Sequence, residues 1–210
     1  MEKKVALIIG AGDSLGSSVA RVFAKDGYII VAARRNGSEL DKLKKEIESK
    51  NGECHTFSLD ARKEEDVIKF IETIERDVGP ISVAVYNIGA NIKYNILETT
   101  SRKYFKVWEM AAFGAFLMGR EVAKYMVSRK EGTIIFTGAT ASIRGKEGFA
   151  AFAGAKHAKR ALAQSMAREL GPKGIHVAHI IIDGAIDTPW VNKLFPDYVK
   201  QKKMGNRSKK

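Results

Sequence analysis

The turn Gly10-Ala11-Gly12-Asp13-Ser14-Leu15-Gly16 follows the apolar run Val5 to Ile9 and opens an amphipathic stretch. Glycines there reach positive φ and let the backbone approach a pyrophosphate, while the N–H groups at a helix start offer partial positive charge. Gly10, Gly12, Asp13, Ser14, Leu15 and Gly16 are the expected phosphate cradle of a dinucleotide. The second apolar run ends Val31-Ala32-Ala33-Arg34-Arg35. A carboxylate at this point would accept hydrogen bonds from an adenosine ribose, whereas Arg34 and Arg35 offer always-charged planar forks for a 2′-phosphate, which favours NADP(H) over NAD(H). Further along, Lys156 supplies an amine, Thr140 and Ser142 supply hydroxyls, and Tyr94 lies in a loop. His157 adjoins Lys156, but adjacent helical side chains diverge. His176 and His179 read as satisfied core or edge residues of a strand. No metal site is expected.

Alternating strands and helices must position these groups. Short β-branched runs predict six strands, Val5 to Ile9, Ile29 to Ala33, Cys54 to Leu59, Ser82 to Tyr86, Thr133 to Thr137 and His176 to Ile182. Helices are predicted over Leu15 to Lys25, Glu39 to Lys50, Lys63 to Asp77, Ser101 to Arg129 and Phe149 to Leu170, with Gly27, Gly52, Gly79-Pro80 and Gly171-Pro172 as stops. The pattern implies an α/β fold, a parallel sheet with helices on both faces. The last helix is rich in alanine and glycine, so another helix can approach it closely.

The glycine turn, Asp60, the segment Tyr86-Asn87-Ile88-Gly89 and Lys156 together resemble the short-chain dehydrogenase/reductase family, from the N-terminus to about Pro189. The resemblance implies a Rossmann-type doubly wound sheet and hydride transfer between a nicotinamide and an alcohol or carbonyl substrate. By resemblance Asp60 lies beside the adenine, Asn87 and Gly89 form a turn against the cofactor, Lys156 binds the nicotinamide ribose, and Thr188 binds the carboxamide. Ser14 stands where the family's loop has its middle glycine, Tyr86 where the turn has its first asparagine, and Asp183 where a proline precedes Gly184. The last two long helices imply a homodimer or higher homo-oligomer.

The same resemblance exposes three losses. Counting back from Lys156, Phe152 occupies the place of a catalytic tyrosine, Ala139 that of a serine and Ala111 that of an asparagine. Losing a positioned general acid costs roughly 10²- to 10⁴-fold in rate. Losing an oxyanion donor costs about 10²- to 10³-fold, and such losses are not additive. Thr140, Ser142 and Tyr94 are the hydroxyls available as substitutes. Two functions stay open: an NADP(H)-dependent oxidoreductase with a non-standard proton source, such as water or an acidic group of the substrate, or a catalytically silent NADP(H)-binding sensor or scaffold. The expectation leans to the enzyme, because hydride transfer needs geometry and cofactor more than a phenol.

The 210 residues suit one domain over 1–198, in which 183–198, with Trp190, Leu194 and Phe195, reads as a substrate-side lid. Residues 199–210 carry Lys200, Lys202, Lys203, Arg207, Lys209 and Lys210 with no acid, so half of the +12 net charge sits in a tail expected to be disordered. No aromatic residue interleaves those cations, which argues against a nucleic-acid stacking platform. No run approaches a membrane span, and the single Cys54 fits a reducing compartment, the cytoplasm. The resembled family usually adds a strand beyond the sixth. Without it Val177 to Ile182 forms an apolar edge, which the lid or another subunit is expected to cover.

Overall fold

The computed structural model describes residues 4–184 and 186. Within them six parallel strands run β1 (Val5–Ile9), β2 (Ile29–Arg34), β3 (Cys54–Ser58), β4 (Ile81–Tyr86), β5 (Gly132–Thr137) and β6 (Ile175–Ile180), in spatial order β3-β2-β1-β4-β5-β6. All five residues of β1 are buried, because both of its faces are covered. Val5, Leu7 and Ile9 point into one apolar cluster, with Phe70, Ile71 and Ile74 of α3 (Glu64–Asp77) and Leu117, Met118 and Val122 of α5 (Gly114–Arg129). Ala6 and Ile8 point into the other, with Ala20 of α1 (Leu15–Lys25) and Leu43 and Ile47 of α2 (Asp41–Glu48). The strand order reverses between β1 and β4, and the crevice beyond the strand ends at that switch point is where such sheets bind ligands.

Two predicted helices are broken up. The stretch expected as Glu39 to Lys50 starts as a 3₁₀ turn, Gly37–Leu40, where the Asn36 amide donates to Glu39 (2.9 Å) and the Ser38 hydroxyl donates to Asn36 (2.8 Å). The stretch expected as Ser101 to Arg129 is α4 (Ser101–Trp108), a π-helical turn Glu109–Phe113 and α5. A π turn inserts a residue into the ladder and occurs frequently at functional sites. The last helix, α6 (Ala150–Leu170), runs as one piece. Its small residues admit α4: a Cβ on Gly154 would lie 2.6 Å from the Tyr104 hydroxyl. The close approach predicted for α6 is thus made within the chain. β6 ends at Ile180, two residues before the predicted end, and is paired on one side only among the described residues.

Candidate functional site

The cofactor end is built on the tips of β1, β2 and β4. Gly10 takes φ +89°, and a Cβ there would lie 2.9 Å from the Ile88 side chain and 3.0 Å from the Asn87 backbone, so glycine is required. Asn87 ties the two strand ends together: its N–H donates to Ile9 O (2.8 Å) and its amide to Gly10 O (3.0 Å). A Cβ on Gly16 would lie 2.3 Å from Gly10 O, which lets α1 start hard against the turn. Gly12 has nothing within 4 Å of such a Cβ, and Ser14 makes no side-chain cap bond, so open space lies in front of the turn. This is a cradle a dinucleotide phosphate fits.

The charged groups around it divide. Arg34 is taken by Asp13 (3.2 Å) and by Glu39, while Arg35 lines the cleft with Leu15, Asn87 and Gly89. Asp60 accepts three bonds from Arg62, one from the backbone N–H at 3.2 Å and two from the guanidinium at 2.8 and 2.6 Å, and this guanidinium holds its carboxyl below the usual range. Thr188, Asp187 and the rest of the expected lid from 187 to 198 lie outside the described residues, as does the basic tail.

The reaction end is a cleft of about 740 Å³ reaching from Arg35 to Ile186. Ala111 and Phe152 are buried with Val107, Ala151 and Ala155 in a small apolar cluster against which Ala139 packs. Ala111 lies in the π turn. The three positions where the resemblance expects catalytic polar groups are therefore neighbours on one apolar floor. Ser142 is fully buried and its Oγ accepts the Ala139 N–H at 3.1 Å, while the Thr140 hydroxyl donates to Asp183. Neither is among the cleft-lining residues. Tyr94 does line the cleft, with the Lys103 ammonium 4.1 Å from its ring centroid.

Lys156 is 5% exposed and lines the same cleft beside Phe152. Its ammonium donates to Thr137 O (3.0 Å) and lies 5.6 Å from the Phe152 ring centroid. Burial pushes its pKa down to about 8, while a hydrogen bond to Lys159 works in the opposite direction. Lys159, fully buried, is the neighbour of Lys156 that sequence reading missed. Its amine donates to Ile88 O (3.1 Å) and lies 5.3 Å from the Tyr86 ring centroid, and burial holds its pKa well below the ordinary lysine value. The two stand three residues apart, so they share a helix face. The available signal was a second lysine at that spacing in an alanine-rich helix.

Two further groups complete the surroundings. Tyr86, where the resemblance expects an asparagine, donates its hydroxyl to Met110 O (2.7 Å) and so satisfies a carbonyl of the π turn. Gly114 makes room for it, since a Cβ there would lie 2.2 Å from the Tyr86 oxygen. His179 is not the satisfied histidine expected: its Nε2 is buried without a partner among the described residues. Burial, with the positive charges of Lys159, Lys156 and Arg160, lowers its pKa to about 4, so it is neutral at ordinary pH. Among the described residues no cluster could hold a metal ion, and no helix is long and apolar enough to cross a membrane.

Known proteins agree with this geometry. A family model described as short chain dehydrogenase matches residues 4–199. The chain is 27% identical over 198 residues to 2,3-dihydro-2,3-dihydroxybenzoate dehydrogenase of Bacillus subtilis, covering 94% of this chain and 75% of that protein. It superposes on a short-chain dehydrogenase from Rhodopseudomonas palustris with TM-score 0.82 and 51% identity, covering 89% and 85% of the two chains. On NAD⁺-bound xylitol dehydrogenase the TM-score is 0.87 at 26% identity, covering 91% and 74%. With a matching sequence model, a six-stranded parallel sheet and a glycine cradle at its switch point, the chain belongs to the short-chain dehydrogenase family of nicotinamide-dependent oxidoreductases.

Proposed function

We propose that the protein is an NADP(H)-dependent oxidoreductase that interconverts an alcohol and a carbonyl compound, with the Lys156 amine as its proton-handling group. The observation that carries this reading is the Lys156 amine on the cleft wall beside the apolar floor, with Lys159 buried one helical turn away. An ammonium has three N–H donors. One goes to Thr137 O, which leaves two for the nicotinamide half and the substrate in the cleft. The bound nicotinamide would supply the hydride. Gly10, Gly12, Ser14 and Gly16 would hold the pyrophosphate, Arg35 the 2′-phosphate, Asp60 the adenine side, and Asn87, Gly89 and Lys156 the nicotinamide half. Arg34 supports the NADP preference through charge, although its fork is shared with Asp13 and Glu39.

Lys156 Nζ then holds a proton near the developing alkoxide without a tyrosine. Its lowered pKa keeps it closer to the working range of a general acid than an ordinary lysine. A hydrogen bond to Lys159 favours the charged form of Lys156 and works against the effect of burial. The apolar floor of Phe152, Ala139 and Ala111 excludes water and strengthens these interactions. In this reading two copies associate through the α4–α5 face, where Phe105 and Phe116 are exposed. The compartment proposed is the cytoplasm, in which the buried Cys54 thiol, its pKa raised to about 11 by burial, stays reduced.

The test is to measure NADPH and NADH binding, and turnover of a panel of carbonyls and alcohols. Wild type, Lys156→Ala and the variant Ala111→Asn, Ala139→Ser, Phe152→Tyr are compared. Turnover by wild type that is lost in Lys156→Ala is expected. NADPH binding with turnover only in the triple variant would replace this reading with that of a silent NADP(H) sensor or scaffold, which the buried apolar floor favours.

A further inference from the structure

Among the described residues that line the cleft four are cationic, Arg35, Lys103, Lys106 and Lys156, and none is acidic. Arg35 belongs to the cofactor end and Lys156 to the proton-handling end. Lys103 and Lys106 have neither role. They stand three residues apart in α4, on one face of the helix, where side chains are about 5–6 Å apart at Cβ and can share one anion.

The first of these charges is held in place. The Lys103 ammonium lies 4.1 Å from the Tyr94 ring centroid and donates to Glu98 O (3.5 Å). Tyr94 is itself anchored, its N–H donating to Gly148 O (2.8 Å). Lys106 has no ion pair among the described residues, and the carboxylate nearest in sequence, Glu109, pairs with Arg62 at 3.7 Å. Between these lysines and Lys156 the cleft wall is apolar: Ile92, Val107, Met110 and Phe152. Two unneutralised ammonium groups beside an apolar wall repel each other, and an entering anion relieves that repulsion while its charge is drawn in.

We infer that Lys103 and Lys106 form an anion site, so that the substrate is a carbonyl compound, or its alcohol, with an apolar body and one carboxylate or phosphate group. The inference rests on the hydride-transfer reading for the reacting carbonyl, and on the lysine pair alone for the anion. Arg35 and Lys156 add to the positive field of the cleft but lie at its cofactor and proton-handling ends.

The experiment is calorimetric titration of the full chain, alone and saturated with NADP⁺. The probes are benzoylformate, its uncharged methyl ester, phenyl phosphate and inorganic phosphate, at low and high salt. Benzoylformate or phenyl phosphate is expected to bind about tenfold more tightly than the ester, the size that two partly exposed charge pairs allow, and to lose most of that advantage at high salt. The stronger of these two probes identifies the anion as carboxylate or phosphate. Lys103→Gln with Lys106→Gln should abolish the preference, and Lys103→Arg with Lys106→Arg should keep it, which separates a charge effect from a folding defect. Equal affinity for ester and acid, a preference that survives the double glutamine variant, or inorganic phosphate binding as tightly as either organic anion would overturn the site. Binding needs no turnover, so anion-selective binding without NADPH oxidation would sink only the oxidoreductase reading. Oxidation of NADPH at equal kcat/KM with acid and ester would sink only the anion site.

Discussion

Lys156 and Lys159 are two amines on one helix face with no acid between them, and burial is the first cause of the lowered pKa of each. A base that is charged when exposed and resists charge when buried makes stability depend on pH. For Lys156 the folded pKa of about 8 lies below the ordinary 10.5, so between those values the unfolded chain binds more protons. Stability from this group therefore rises as pH rises from about 8 to 10.5, by on the order of 3 kcal/mol, and its burial is least favourable at neutral pH. Denaturant unfolding from pH 7 to 10 should show this rise, and Lys156→Met should flatten it. Lys159 has the opposite effect on its neighbour, because its hydrogen bond to Lys156 favours the ammonium form. Lys159→Met should lower the Lys156 pKa further below about 8, read as the midpoint of Lys156 acetylation by acetic anhydride followed by mass spectrometry. Carbonyl reduction, which needs the ammonium form, should fall through about pH 8 in wild type and at lower pH in Lys159→Met.

The other residue-scale prediction concerns cofactor choice. Arg35 lines the cleft while Arg34 is held by Asp13 and Glu39. Arg35→Ser should weaken NADPH binding about tenfold or more and leave NADH binding within about twofold, since a charge-assisted hydrogen bond contributes about 1.5–3 kcal/mol. Equal weakening of both cofactors, measured by fluorescence titration, would place Arg35 outside the 2′-phosphate site.

At the scale of elements, the π turn between α4 and α5 is held by one side chain. Tyr86 reaches from the end of β4 to Met110 O, and Gly114 leaves the space its hydroxyl occupies. Gly114→Ala would gain helix propensity but force the Tyr86 hydroxyl aside, for a net destabilisation of about 1–3 kcal/mol. Tyr86→Phe should cost about 1 kcal/mol by leaving the part-buried Met110 carbonyl without its donor. The double variant should cost less than the sum of the two, because removing the hydroxyl relieves part of the clash. Additive losses in urea unfolding would mean that the two sites do not meet. This coupling was not legible in the sequence. The pattern from Ser101 to Arg129 carried no Pro and no helix break, and the π insertion arises from a contact between residues 24 positions apart.

On the whole molecule, an aromatic ladder runs along the α4–α5 face. Phe105, Trp108, Phe113 and Phe116 stack in turn with ring centroids 6.0, 5.9 and 6.2 Å apart. Phe105 is 57% exposed and Phe116 37%. An exposed apolar stripe of this kind is the surface through which the proposed dimer would form. Phe105→Glu with Phe116→Glu should convert a dimer to a monomer in analytical ultracentrifugation, with little loss of monomer stability because both rings are exposed. A wild-type chain that is monomeric at micromolar concentration would remove the dimer from the proposed function.

The order of strands and helices, the parallel sheet and the glycine cradle followed from local pattern alone. Buried parallel strands require continuous β-branched runs such as Val5 to Ile9, and a phosphate turn requires glycine where the backbone reaches positive φ, as at Gly10. That Ala111, Ala139 and Phe152 stand where the family resemblance expects polar groups needed only counting from Lys156. Three-dimensional proximity decided the rest. It divided Arg34 from Arg35, bound the Ser142 and Thr140 hydroxyls to structural partners, buried the Lys156 and Lys159 amines, and set Lys103 and Lys106 on the wall of the cleft. Residue type and spacing determine what a side chain can do chemically. Its partners, its burial and therefore its charge depend on elements that meet only when the sheet is assembled.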